Sequence, residues 1–164
     1  MEKKYYKNLK MIVCVGKDNL IGDRTPDENS NGMLWHIKEE LMYFKERTIG
    51  NTVLFGGTTA KYVPIELMRK NREVIVLHRT MDVSKLIEDL TQENKTIFVA
   101  GGYSIYKYFL DNFEIDEIFL STIKDSVEVK EAVEPLYLPN IEEYGYKVVE
   151  KKEYDEFIAY VYKK

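Results

Sequence analysis

The sequence predicts an α/β fold: a mainly parallel central sheet of about eight strands, helices on both faces, and an antiparallel hairpin at the carboxyl end. Three observations carry this. Apolar, β-rich runs alternate with helical patterns along the chain. Most of those runs are continuously apolar, as strands buried on both faces are. The last stretch, YKVVEKKEYDEFIAYVYKK, instead splits into two segments of alternating polarity separated by charged residues.

The first strand is LKMIVCVG, ending in Gly16. NTVLFGG (51–57), REVIVLH (72–78), KTIFVAGG (95–102) and IDEIFLSTI (115–123) have the same character. Helical patterns cover 37–47, a short piece at 59–63, 83–94 and 103–113. The polar connection GDRTPDENSNG (22–32) is rich in Gly, Pro, Asp and Asn and has no apolar periodicity, so it is a loop. It runs straight into Trp35 and reads as a lid. No linker, repeat or low-complexity segment divides residues 1–164, and a single domain is expected.

Composition narrows the function. The chain is 45% apolar and 32% charged, without an apolar run near the roughly 20 residues that a membrane helix needs. The N-terminus MEKKYYKNLK has no secretory apolar region after it, so a cytoplasmic location is expected. One cysteine and two histidines give neither a disulfide nor a metal cluster to propose. A net charge of −4 argues against a nucleic-acid surface. Small ligands remain, and basic groups such as those in MRKNR (68–72) could hold an anionic one.

Two strands end in a Gly-Gly pair that opens a helix: TVLFGGTTAKYV and TIFVAGGYSIYKYFL. Each pair alone is either a tight turn or a place where backbone approaches phosphate at a helix N-terminus. The hydroxyls of Thr58, Thr59 and Ser104 add donors or cap the helices. Two such turns at the carboxyl ends of strands in one small sheet point to a dinucleotide with a diphosphate bridge.

Glu40 is the second anomaly. Ile37, Leu41 and Phe44 form an apolar stripe at helical spacing, and Glu40 lies at its edge. It either reaches water or a lysine at the rim, or meets donors of a bound ligand. Trp35 is a core or hinge residue, or its indole N–H organises water beside the carboxylate. Cys14 reads as a small buried hydrophobe, since no lysine or histidine is adjacent to activate it. Arg72 is an ordinary surface cation unless it faces the same cleft and meets a carboxylate.

These features, in this order, resemble the dihydrofolate reductase family. DNLIG (18–22), NGMLW (31–35) leading to EELMYFK, VLFGGTT (53–59), REVIVLHR (72–79), VAGGYSIYKYFL (99–110) and IFLSTI (118–123) carry the resemblance, which leaves only the first ten residues unaccounted for. It implies reduction of 7,8-dihydrofolate to tetrahydrofolate, with NADPH as hydride donor, by a monomer. Glu40 would accept hydrogen bonds from the pterin N3–H and 2-amino group, with Ser121 standing where members usually have a threonine bonded to that carboxylate. Val13, Cys14, Leu41, Phe44, Val63 and Leu67 would line the pterin and benzoyl rings. Arg72 would take the α-carboxylate of the glutamate tail.

On the cofactor side the resemblance puts Ile21, Gly22 and the lid over the nicotinamide, and Tyr106 beside it. Gly56, Gly57, Thr58 and Thr59, with the backbone of Ala100, Gly101, Gly102, Tyr103, Ser104 and Ile105, would hold the diphosphate region, and the Gly101–Gly102 bond would be cis. Gly57 occupies a place where members often have a basic residue for the adenosine 2′-phosphate, which leaves His78 and Arg79 to reach it from the next strand. Lys38 and Leu34 replace family prolines, and the lid is several residues longer than usual. The alternatives are a related pyrimidine reductase of riboflavin synthesis and a non-catalytic nucleotide-binding module; Glu40 together with Arg72 favours a pterin with a glutamate tail.

Overall fold

The computed structural model describes residues 3–25 and 33–164. Its central sheet is built from β1 (Lys4–Val15), β3 (Thr52–Gly56), β4 (Glu73–Leu77), β5 (Ile97–Val99), β6 (Phe113–Ile123), β8 (Lys147–Glu153) and β9 (Phe157–Lys163). The order across the sheet is β4-β3-β5-β1-β6-β9-β8. The first five strands in that order are mutually parallel, and β9 runs antiparallel to both β6 and β8. The mainly parallel sheet and the terminal hairpin therefore hold, with seven strands in the sheet rather than about eight. Two further strands, β2 (Leu20–Asp23) and β7 (Pro135–Tyr137), form a separate antiparallel pair. Neither was expected, because four and three residues containing Gly and Pro carry no readable period.

Helices cover both faces. On one, α4 (Val83–Gln92) and α5 (Tyr103–Asn112) send Ile87, Leu90, Phe109 and Leu110 against Leu9, Met11, Val13 and Val15 of β1. On the other, α1 (Lys38–Thr48) and α3 (Ile65–Met68) send Tyr43 and Met68 toward Ile12, Val53, Phe55 and Phe157. The alternation along β1 is what assigns its neighbours to opposite faces. The short helical piece at 59–63 is instead two single turns, α2 (Gly57–Ala60) and α3, separated at Pro64, which removes a backbone donor. No helix among the described residues is long and apolar enough to cross a membrane.

β1 begins earlier than its apolar run. Lys4, Tyr5 and Tyr6 pair with Phe113, Glu114 and Ile115 before the register shifts ahead of Lys10. Tyr6 is buried, and its hydroxyl donates to Glu88 of α4 at 2.7 Å. Lys3 Nζ donates to the Leu110 carbonyl at the end of α5 at 2.9 Å. Of the loop read as a lid, residues 26–32 lie outside the described residues. Its start is tied down, since Asp23 accepts backbone N–H groups from Val133 and Glu134 at 2.9 Å each.

Candidate active site

Helix α1 starts at Lys38, which puts Glu39 and Glu40 in its first turn, where the positive end of the helix dipole favours carboxylates. The residues α1 buries are Glu40, Tyr43 and Thr48. The stripe expected from the spacing is divided: Ile37 is buried just before the helix, Phe44 is half-buried, and Leu41 is exposed. A cleft wall, unlike a core face, leaves apolar side chains open on one side.

Glu40 is only 8% exposed and makes no hydrogen bond or ion pair with any other described residue. Burial alone pushes its carboxyl up to about 7. Glu40 therefore sits deeper than an exposed rim residue. Ser121 is buried and stands opposite Cys14 in the β1–β6 register, but its hydroxyl makes no hydrogen bond to Glu40. The Trp35 indole is also buried, and its Nε1–H has no partner among the described residues. A buried acceptor and a buried donor without partners are what a polar ligand would satisfy.

Arg72 stands at the other end of α1. Its Nη1 donates to Thr48 Oγ1 at 3.1 Å, and that hydroxyl donates to the Phe44 carbonyl at 2.8 Å. Its Nε donates to Asn71 Oδ1 at 2.9 Å, leaving Nη2 free of partners among the described residues. Glu40 and Thr48 are eight residues apart on one helix, a rise of about 12 Å. An anion acceptor and a cation thus bracket an apolar wall. Thr48 was not singled out in the sequence, although it continues the helical spacing from Glu40 through Phe44.

The two glycine turns meet. Gly56 N–H donates to the Gly101 carbonyl at 2.8 Å. A Cβ on Gly56 would fall 2.7 Å from Ile105 Cγ1, and one on Gly102 would fall 2.6 Å from Thr59 Oγ1. The Gly101–Gly102 peptide is cis. Helix α5 begins after Gly102 with no side-chain cap, so the N–H groups of Tyr103, Ser104 and Ile105 open its first turn unclaimed by a cap. Tyr106 donates its hydroxyl to the Ile12 carbonyl at 2.8 Å, which binds α5 to β1 beside the cleft. Ala100 is fixed by its N–H bond to Leu54.

The register pairs Gly56 with Leu77, so the exposed His78 and Arg79 follow β4 beside Gly57 and Thr58. A Cβ on Gly57 would meet nothing within 4 Å. The remaining candidates are less uniform. Val13 packs toward α5, on the opposite face of β1 from Cys14. Ile12, which sequence reading passed over, occupies the Cys14 face instead. Val63 is half-buried beside the α1 cluster, while Leu67 is 60% exposed on α3. Ile21 and Gly22 lie in β2, with Ile21 packed against the α5-side core and Gly22 paired with Leu136.

The family model described as dihydrofolate reductase matches residues 8–163. This chain belongs to the dihydrofolate reductase family. It is 28% identical over 128 residues to the dihydrofolate reductase of Mycoplasma genitalium, covering 69% of this chain and 74% of that protein. It is 22% identical over 147 residues to the dihydrofolate reductase of Buchnera aphidicola subsp. Acyrthosiphon pisum, covering 85% of this chain and 83% of that protein. Membership in the dihydrofolate reductase family makes it an oxidoreductase that reduces dihydrofolate with a nicotinamide cofactor. The dihydrofolate reductase match begins after Lys3–Lys7, so Lys3, the first residues of β1 and their bonds to α5 and α4 precede it.

Proposed function

We propose that the cleft along α1 reduces 7,8-dihydrofolate to 5,6,7,8-tetrahydrofolate with NADPH, and that a single cytoplasmic domain acts as a monomer. The observation that carries the site is the pairing of a buried carboxylate, unpartnered among the described residues, at one end of α1 with a guanidinium at the other. Two glycine turns meet at the carboxyl ends of β3 and β5. Their tight mutual approach and the uncapped start of α5 fit a diphosphate, with Gly56, Gly57, Thr58, Thr59 and the backbone of Ala100–Ile105 around it. When bound, NADPH supplies a hydride to pterin C6.

Every other role falls to the chain. Glu40 accepts from the pterin N3–H and 2-amino group, a flat pair of donors that matches two carboxylate oxygens. Its charge beside the ring favours protonation at N5, with water delivering the proton. Cys14, Leu41, Phe44 and Val63 hold the rings, and Arg72 takes the α-carboxylate of the tail through Nη2, which has no partner among the described residues. His78 and Arg79 hold the 2′-phosphate in place of the basic side chain missing at Gly57. Ile21 and Gly22 cover the nicotinamide, with Tyr106 beside it. The test is loss of NADPH absorbance on adding dihydrofolate. Folded protein that binds NADPH but does not turn over dihydrofolate would overturn the reading.

A further inference from the structure

A guanidinium on a long, flexible stem holds a carboxylate tightly only if little remains to be ordered when the carboxylate arrives. Two acceptors hold that of Arg72, which is half-buried. Thr48 Oγ1, wholly buried, gives its own hydrogen to the Phe44 carbonyl at 2.8 Å, so it faces Arg72 only as an acceptor and takes Nη1–H at 3.1 Å. Asn71 Oδ1 takes Nε–H at 2.9 Å. Bonds at Nε and at Nη1 together fix both the tilt of the plane and its rotation, which one bond alone leaves loose. Asn71 is itself anchored. Its N–H and that of Arg72 donate to the carbonyl of buried Met68 at 3.2 and 2.9 Å, and its carbonyl accepts from Gly50, in the turn after α1, at 2.8 Å. The side-chain amide is thus presented from a backbone tied both to α3 and to the end of α1.

We propose that Asn71 is a positioning residue for substrate recognition: its side-chain oxygen holds the Arg72 guanidinium in the orientation that receives the α-carboxylate of the tail, and so sets the preference for a dihydropterin that carries a carboxylate tail over one without it. The proposal rests on the reading of Arg72 as the tail anchor. Without the amide oxygen, Nε–H turns to water and the guanidinium pivots about its bond to Thr48. Binding must then order it again, and that cost falls only on substrates that use it.

The experiment measures KM and kcat for dihydrofolate and for a dihydropterin lacking the glutamate tail, and reads the KM for dihydrofolate divided by that for the tail-less substrate. Asn71→Leu keeps the size of the side chain and removes the acceptor, while the main-chain bonds to Met68 and Gly50 stay; Asn71→Ala is the second variant should the leucine not be accommodated. The ratio should rise about fivefold, the effect of leaving one long side chain to be ordered on binding, with the loss in KM and not in kcat. On an Arg72→Ala background the same substitution should add nothing, because Asn71 acts through the guanidinium. A purely structural role would move both substrates together. An unchanged ratio in both Asn71 variants while Arg72→Ala still raises it would overturn the proposal and spare the tail anchor, and so would an equal rise on the Arg72→Ala background. An unchanged ratio in Arg72→Ala would overturn both, which separates the two failures.

Discussion

Arg72 and Thr48, 24 residues apart, are joined by a 3.1 Å hydrogen bond from the guanidinium to the hydroxyl. That bond fixes the cation against the last turn of α1 and leaves Nη2 without a partner among the described residues. Arg72→Ala should therefore raise KM for dihydrofolate by about thirtyfold, roughly 2 kcal/mol, with kcat little changed. A dihydropterin lacking the glutamate tail should be insensitive to the substitution. Steady-state kinetics with both substrates decide the matter; equal losses would remove Arg72 from tail recognition.

Glu40 links catalysis to stability. Its folded-state pKa is raised by burial from 4.5 to about 7, so the folded state holds a proton that the unfolded chain releases. The associated stabilisation is fully present below pH 4.5 and disappears as pH rises through about 7, about 3 kcal/mol in all. Glu40→Gln should flatten that stretch of the stability-pH curve measured by urea unfolding. The same substitution faces the pterin donors with another donor and should lose about 2–4 kcal/mol of transition-state stabilisation. Near-native turnover at neutral pH would contradict the anchoring role.

Gly56→Ala tests the contact between the two glycine turns. Its Cβ would fall 2.7 Å from Ile105 Cγ1, on the helix that opens the diphosphate site. Overpacking of this kind costs about 1–3 kcal/mol. Weaker NADPH binding should accompany a lower Tm, whereas unchanged affinity would detach this turn from the cofactor.

Arg79→Ala should lower affinity for NADPH more than for NADH. Titration of both by fluorescence checks it; an unchanged ratio of affinities would mean that the 2′-phosphate is held elsewhere.

Tyr6→Ala probes the early part of β1. Tyr6 packs its ring 6.1 Å from that of Phe113 and bonds Glu88. Its loss should destabilise the fold by about 3 kcal/mol while kcat stays near wild type, since the residue is at the amino end of a strand whose carboxyl end faces the cleft. Thermal unfolding and turnover, measured on the same preparation, separate the two effects.

The parallel sheet was legible because continuous apolar runs such as VLFGG and KTIFVAGG leave few other solutions. Lys4–Tyr6 were not, because a Lys-Tyr-Tyr segment has no apolar period of its own and is ordered by Phe113–Ile115 and Glu88, more than 80 residues away. Glu40 was visible as an anomaly, and spacing alone put it at an edge. Its depth depends on how α1 is rotated against the sheet, which buries Tyr43 and Thr48 and turns Leu41 outward. The faces taken by Val13 and Ile12 were hidden for a related reason: which face of β1 meets α1 is a tertiary fact that a continuous run cannot encode. The link from Arg72 to Thr48 joins a loop to a helix and leaves no local signature.

The order of strands carries a consequence for synthesis. β1 takes the middle of the sheet between β5 and β6. Its partners at 97–99 and 113–123 are made much later, and β9 (Phe157–Lys163), which covers the far side of β6, later still. During synthesis the apolar β1 therefore stays unpaired until β5 and β6 have been made, and the sheet closes only once β9 has emerged. Such long-range closure is slow and exposes the chain to aggregation, so the yield of active protein should depend on chaperone holding during elongation.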